Sequence, residues 1–248
     1  MTTIIGIPFF DGELSESVAL TLEGGLVVAP SGPGLANDFL KVPIYRQALL
    51  EAKVALTDSA IMVALFRFVT DSKVPRHSGL KFLKALLDSP VLREPNAVYW
   101  VMPTAEESAP ISEWLHTQGL KADEENTYIA PFYPNGAIQD EILLERLKAY
   151  KPKVVVLNIA GGKQEILGAW LAKNLTPTPG IVCTGAAVAF LAGTQANIPI
   201  WADRLGLGWF FRCLSSPRKF VPRYWHALPL VPLVLRYRDK LPPEPAVG

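Results

Sequence analysis

Lys151-Pro152-Lys153-Val154-Val155-Val156-Leu157-Asn158-Ile159-Ala160-Gly161-Gly162-Lys163-Gln164-Glu165 is the stretch on which the fold reading turns. The apolar, β-branched run Val154–Leu157 is bounded by charge and proline before it and by glycine after it. Such a run reads as a short strand buried on both faces. A helical pattern near 163–173 follows at once. A buried strand feeding a helix through a tight turn is half of a βαβ unit.

The same alternation recurs on either side. Leu26–Ala29, Val54–Leu56 and Ala97–Val101 read as buried strands, with Ile181–Cys183 a weaker candidate. Helical patterns lie near 39–52, 60–69, 79–88, 105–118 and 137–149. The expected fold is α/β: a Rossmann-like, mostly parallel sheet with helices on both faces, plus a C-terminal helical appendage. Residues 1–195 are expected to form the body and 196–248 the appendage. In open α/β sheets ligands bind beyond the carboxyl ends of the strands, so the residues just after each strand carry the interest.

A chain of 248 residues with 50% hydrophobic and 19% charged residues can bury a real core, which excludes a largely disordered chain. Its net charge of +1 gives no argument for nucleic acid as a partner. Two cysteines, Cys183 and Cys213, exclude a disulfide framework and a four-cysteine zinc site, and both are expected to pack as small hydrophobes. The three histidines are scattered and no Asp-x-Asp pair is present, so no metal is expected. The N-terminal residues show no basic segment followed by an apolar run, and the apolar stretch Ile181–Ala192 is too short to span a bilayer. A cytoplasmic protein is expected, with surface attachment to a membrane left open.

Charge is unevenly spread. Residues 94–145 hold ten acidic side chains against Lys121 alone, whereas residues 201–240 hold eight Lys or Arg against two Asp. The second segment also carries Trp201, Trp209, Phe210, Phe211, Tyr224 and Trp225. Its arginines suit phosphates of a lipid head group or a nucleotide, and its apolar residues suit a bilayer surface. A helical hairpin with a solvated basic face fits the pattern equally well. Residues 242–248 read as a frayed tail.

Four turns carry candidate chemistry. Gly162, Lys163 and Gln164 open a helix after a strand, where backbone N–H groups and the helix dipole favour anions; an ordinary strand-to-helix turn is the plain alternative. Ser31-Gly32-Pro33-Gly34 either lines the same crevice or is simply a loop, with the loop the stronger reading. Asp58 follows a strand and either acts as a general base or caps the helix starting near Ala60, with the cap favoured by spacing. Arg76 either grips a diphosphate through its fork of donors or is an exposed loop arginine, and the neighbouring His77 reads as solvated.

The C-terminal half resembles the WecG/TagA/CpsF family of bacterial glycosyltransferases. The resemblance is carried by Lys151-Pro152, Gly162-Lys163-Gln164-Glu165, Phe190-Leu191-Ala192-Gly193, Pro199-x-Trp201 and Arg204-Leu205-Gly206-Leu207-x-Trp209. Phe211-Arg212, Pro217-Arg218 and Arg223-Tyr224 continue it. Fainter matches lie at Gly6-Ile7-Pro8, Thr57-Asp58-Ser59 and Arg76-x-x-Gly79. What the resemblance implies is an inverting, metal-independent transferase with no cofactor. It would move an N-acetylhexosamine or related sugar from a UDP-sugar donor to a polyprenyl-diphosphate-linked acceptor. The work would serve cell-envelope polysaccharide synthesis at the cytoplasmic face of the membrane. The implied base falls on Asp58, the crevice arginine on Arg76 and the uridine- or phosphate-contacting glutamine on Gln164. The appendage arginines fall on Arg204, Arg212, Arg218 and Arg223 and would close over the diphosphate. A homo-oligomer is compatible with this reading.

The sequence also departs from the family pattern. Ala29-Pro30-Ser31 stands where many relatives have Thr-x-Asn, and Ser59 follows the aspartate in place of glycine. Met102-Pro103 replaces a glycine pair, Ala189 an aspartate and Gly208 a glutamate, and Lys81 stands where an acidic residue is common. These positions cluster at the crevice. They motivate a second reading, a catalytically weakened homologue that binds nucleotide sugar or polysaccharide-assembly partners. A nucleotide-binding oxidoreductase is the third, and the absent dinucleotide fingerprint counts against it.

Overall fold

The computed structural model describes residues 1–194, 208–225 and 227–244. Its strands are β1 (Thr2–Ile4), β2 (Ile7–Phe9), β3 (Gly25–Val28), β4 (Val54–Ala55), β5 (Val98–Met102), β6 (Thr127–Ile129), β7 (Val154–Leu157) and β8 (Gly180–Cys183). They form one sheet in the order β1-β2-β4-β3-β8-β7-β5-β6. Every pairing is parallel except the β1–β2 hairpin. The helices that set up the sheet edge are α1 (Leu14–Leu22), α2 (Gly32–Lys41), α3 (Pro43–Leu50), α4 (Ala60–Thr70), α5 (Gly79–Leu87), α6 (Ala105–Thr117), α7 (Glu141–Tyr150), α8 (Lys163–Asn174) and α9 (Ala187–Leu191). The C-terminal part adds α10 (Gly208–Ser215), α11 (Pro217–Trp225) and α12 (Leu230–Tyr237).

Side-chain alternation along the buried strands builds two cores. Leu26, Val28, Val155, Leu157, Ile181 and Cys183 face a layer made by α2, α3, α4, α7, α8 and α12. Val27, Val154, Val156, Trp100, Met102 and Val182 face a layer containing α5, α6 and α9. This is the doubly covered parallel sheet that continuous apolar strands require. Helix α8 lies close to the sheet because Gly168 has no side chain: a Cβ there would come within 2.8 Å of Leu26 and 3.0 Å of the Cys183 sulfur. Among the described residues, no helix is long and apolar enough to cross a membrane.

The structure differs from the sequence expectations at several points. The helix expected over 39–52 is two helices, because Pro43 disfavours helical backbone at Val42, which is extended at φ −121° and ψ 94°. Ser31-Gly32-Pro33-Gly34 is not a loop. Ser31 caps α2 by accepting from the Gly34 N–H at 3.4 Å, and Pro33 sits in the first turn where its missing N–H costs nothing. The β1–β2 hairpin, α1 and β6 were not expected at all. The tail is not frayed at Pro242, which is buried. The Ile5 N–H donates to the Arg238 carbonyl at 2.5 Å and the Gly6 N–H to the Asp239 carbonyl at 3.2 Å. Arg46 donates to the Pro242 carbonyl. The chain after α12 therefore straps down the hairpin turn.

Candidate active site

Asp58 lies just past β4 and does not cap α4. The cap is Ser59, whose hydroxyl accepts from the Met62 N–H at 3.3 Å. The Asp58 carboxylate reaches instead to a different helix: Oδ1 accepts from the N–H of Gly79, first residue of α5, at 2.9 Å. An anion at a helix N-terminus is favoured by the dipole and by the unsatisfied N–H groups there. Arg76 comes to the same place, its Nε donating to the Asp58 carbonyl at 3.2 Å. The 57–79 segment is pinned by two more bonds. The Thr57 hydroxyl donates to the Pro75 carbonyl at 2.7 Å and accepts from the His77 N–H at 2.8 Å. His77 is packed rather than solvated: its Nε2 lies 2.9 Å from the Gly12 carbonyl and its ring is 5.9 Å from that of Phe10.

Gly79 joins this corner to the middle of the sheet. A Cβ placed on it would come within 3.0 Å of the Ala29 Cβ and 3.6 Å of Thr184, so α5 presses its first residue onto the ends of β3 and β8. Gly32 of α2 approaches Ser59 in the same way, with 3.1 Å to the hydroxyl. Ser31, Ser59 and Ser78 each cap a helix whose N-terminus meets this edge. Ser31, Asp58 and Arg76 are therefore brought together.

The β7 turn lies further along the edge and is spent largely on itself. Gln164 is 3% exposed. Its Oε1 accepts from the Gly185 N–H, just after β8, at 2.8 Å, and its Nε2 donates to Glu165 Oε1 at 3.0 Å. Gly162, at φ +88°, donates its N–H to Glu165 Oε2 at 2.7 Å. Burial pushes the Glu165 carboxyl up to about 7, with nearby Asp38 adding to the rise and the bonds from Gln164 and Gly162 opposing it. Lys163 turns outward to the loop after β6, donating to the Pro134 carbonyl and to Asn135 Oδ1, the latter at 2.8 Å. That loop is also tied by Asp140, which accepts from Tyr133 at 2.6 Å, Tyr128 at 3.0 Å and the Leu143 N–H at 2.9 Å. Burial and the Asp140 carboxylate push the Tyr128 phenol up to about 12.

The appendage residues are placed unevenly. Arg204 lies outside the described residues. Arg212 is on α10 and Arg223 on α11, and nothing of their side chains is described; Arg218 is exposed on α11. Helix α11 touches α2, and Leu230 of α12 stands 3.5 Å from where a Gly32 Cβ would be. The appendage thus meets the body beside Ser31. A hollow of about 470 Å³ opens at the opposite, amino edge of the sheet, around Gly24, Lys53 and Thr178. Its charges are paired as Lys53–Glu23 at 3.0 Å and Lys173–Glu51 at 2.8 Å. The strand-end rule and the Asp58 corner both favour the carboxyl edge as the working site. Sequence reasoning missed Gly79 as the group that holds Asp58, and Gly185 as the partner of Gln164. The only local signal was the Ser78-Gly79 pair, which reads as a helix start.

A doubly covered parallel sheet with a polar corner at its carboxyl edge defines a Rossmann-like α/β protein. The WecG/TagA/CpsF glycosyl transferase family model matches residues 2–243, and the chain belongs to that family. It is similar to the N-acetylglucosaminyldiphosphoundecaprenol N-acetyl-beta-D-mannosaminyltransferase of Bacillus spizizenii strain W23. The two are 21% identical over 230 residues, covering 88% of this chain and 86% of that protein.

Proposed function

We propose that the protein transfers an N-acetylhexosamine or related sugar from a UDP-sugar to a polyprenyl-diphosphate-linked saccharide in cell-envelope polysaccharide synthesis. The observation that carries the reading is the Asp58 carboxylate held at the N-terminus of α5, with Arg76 beside it. Family membership and the substrate named for the Bacillus relative support the reaction class.

In this reading an acceptor hydroxyl attacks the anomeric carbon of the donor while Asp58 takes its proton. The bond from that carbon to the UDP oxygen breaks, its electron pair leaves with UDP, and the configuration inverts. Arg76 offsets the charge developing on the diphosphate, joined by Arg204, Arg212, Arg218 and Arg223 of the appendage. Ser31 and Gly162 line the crevice at the starts of α2 and α8, and Lys163 lies at its outer side. Gln164 keeps the β7 and β8 turns in register. The absence of an Asp-x-Asp pair from the sequence agrees with a metal-independent member.

The body over 1–195 carries the chemistry and the part from 196 onward brings the lipid acceptor. Trp225, Leu228 and Leu235 are exposed apolar residues, with exposed Arg236, Arg238 and Lys240 close by in sequence. That mixture suits peripheral binding at the cytoplasmic face of an anionic membrane.

The test is UDP release from a panel of UDP-sugars, with and without a short-chain polyprenyl-diphosphate-GlcNAc acceptor and with chelator present. Acceptor-dependent release with one donor establishes the reaction. Binding without turnover across the panel selects the weakened homologue, which the internal commitments of Gln164 and Lys163 favour.

A further inference from the structure

Four buried side-chain atoms among the described residues have no hydrogen-bond partner: Arg46 Nη1, Thr127 Oγ1, Asn158 Oδ1 and Thr184 Oγ1. The first two lie on α3 and at the start of β6. The last two stand at the carboxyl ends of neighbouring strands. Val156 pairs with Val182, so Asn158 and Thr184 lie opposite one another two residues on. Adjacent strands are roughly 5 Å apart. Both side chains also face the same side of the sheet. Asn158 Nδ2 lies 3.5 Å from the Met102 sulfur, Thr184 lies against Gly79 of α5, and Met102 and α5 both belong to the second core. An orphaned buried polar atom is costly and rare in native proteins, and two side by side at the carboxyl edge need a partner, either a water or a ligand group.

We propose that Thr184 and Asn158 form the floor of the donor-sugar subsite, an inference that rests on the transferase reading above. Thr184 lies 3.6 Å from where a Cβ on Gly79 would be, and the Gly79 N–H holds Asp58, which places Thr184 at the Asp58 corner rather than at the far end of a nucleotide. The amide oxygen of Asn158 is an acceptor and repels a phosphate, so it takes a hydroxyl or acetamido N–H. The Thr184 hydroxyl both donates and accepts, as a sugar hydroxyl requires. Thr184 as a residue is only partly buried, so it borders the surface of the carboxyl edge as well as the core. A neutral, hydroxyl-rich group with an N–H fits this pair; a diphosphate does not.

Thr184→Val and Asn158→Leu remove the polar atoms while keeping most of the bulk, and Thr184→Ser keeps the hydroxyl as a control. UDP and each UDP-sugar are titrated calorimetrically against wild type and variants, alongside the unliganded Tm and the transfer assay. The expected result is an unliganded Tm unchanged or raised, UDP affinity within about twofold of wild type, and affinity for the transferred UDP-sugar lowered about tenfold in each variant. Thr184→Ser should bind nearly as wild type. A fall in Tm with UDP-sugar affinity unchanged overturns the proposal and marks an internal water site. Equal losses for UDP and UDP-sugar, or a loss confined to the acceptor KM, also overturn it. Transfer by wild type with unaffected variants removes this inference alone, whereas a wild type that neither binds nor transfers any UDP-sugar removes the transferase reading and the inference together.

Discussion

Two strand-to-helix turns at the same edge of the sheet carry similar residues and are used differently. The turn after β7 offers a glycine pair, a lysine, a glutamine and a glutamate, the richer set of ligand groups. Those groups are turned on the protein: Gly162 and Gln164 onto Glu165, Gln164 also onto Gly185, and Lys163 onto the 134–135 loop. The turn after β4 offers only Thr57, Asp58 and Ser59. Ser59 closes its own helix, and Asp58 is left partly exposed with one oxygen on the N-terminus of another helix. Residue type at a helix start therefore says little by itself. What separates the two turns is exposure: Gln164 and Glu165 are buried, whereas Asp58 keeps part of its surface open.

The sharpest way to break this contrast is Asp58→Asn. The shape and the Gly79 bond survive, since the amide oxygen still accepts, while the basicity is lost. Transfer should fall by about 10²–10⁴-fold with an unchanged circular dichroism spectrum. Full turnover would remove Asp58 from the base role. Arg76→Ala should cost about a hundredfold in kcat/KM, and Arg76→Lys should recover little, because the planar fork is lost. An unchanged rate in Arg76→Ala would return Arg76 to a loop anchor.

On the other side of the contrast, effects should fall on stability first. Gln164→Leu leaves the Gly185 N–H without its side-chain acceptor, a cost of about 1–3 kcal/mol and several degrees of Tm. Turnover per folded molecule should drop far less than in Asp58→Asn. Glu165 adds a pH signature. Its carboxyl sits at about 7 in the folded chain against 4.5 in the open chain. Between those values the folded state holds a proton that the unfolded state has lost. Stability from this group is therefore greatest below about pH 4.5, falls as pH rises to 7, and is flat above. Urea unfolding of wild type and Glu165→Gln from pH 5 to 8 reads it directly. The substituted protein should lose most of that slope, and an identical slope in both would assign it to other groups.

The same physics explains what was legible in advance. Runs such as Val154–Leu157 and Ala97–Val101 announce strands because they are short, apolar, rich in β-branched or aromatic residues and bounded by turn signals, and the α/β class follows from them. The N-terminal hairpin stayed hidden because its turn uses Ile5 at φ 46°, a conformation that a β-branched residue rarely adopts, with only Gly6 to mark it. β6 is three residues long and carries no periodicity. Pro43 lies inside the 39–52 helical pattern and divides it, since proline disfavours helical backbone at the residue before it. At the site, the meeting of Asp58 with Arg76 came from resemblance alone, since residues 18 apart in sequence have no spacing rule to join them. The internal use of Gln164 could not be read either. Whether an amide faces a ligand or a backbone N–H depends on where β8 ends beside it, and that is a tertiary fact.

Lys163 tests the contrast at its finest grain, because it belongs to the scaffold turn yet keeps a partly exposed ammonium. That charge already has two oxygen partners, Pro134 and Asn135, and reaching a phosphate means leaving them. An exposed charge contact contributes about 0–1 kcal/mol, so Lys163→Met should change the donor KM by no more than about fivefold. The 134–135 loop should meanwhile become easier to cleave by protease, since it loses its tie to α8. A tenfold or larger rise in KM with the loop still protected would put Lys163 on the diphosphate. The β7 turn would then join the β4 turn in the proposed ligand site, and the burial of Gln164 and Glu165 would no longer mark that turn as scaffold.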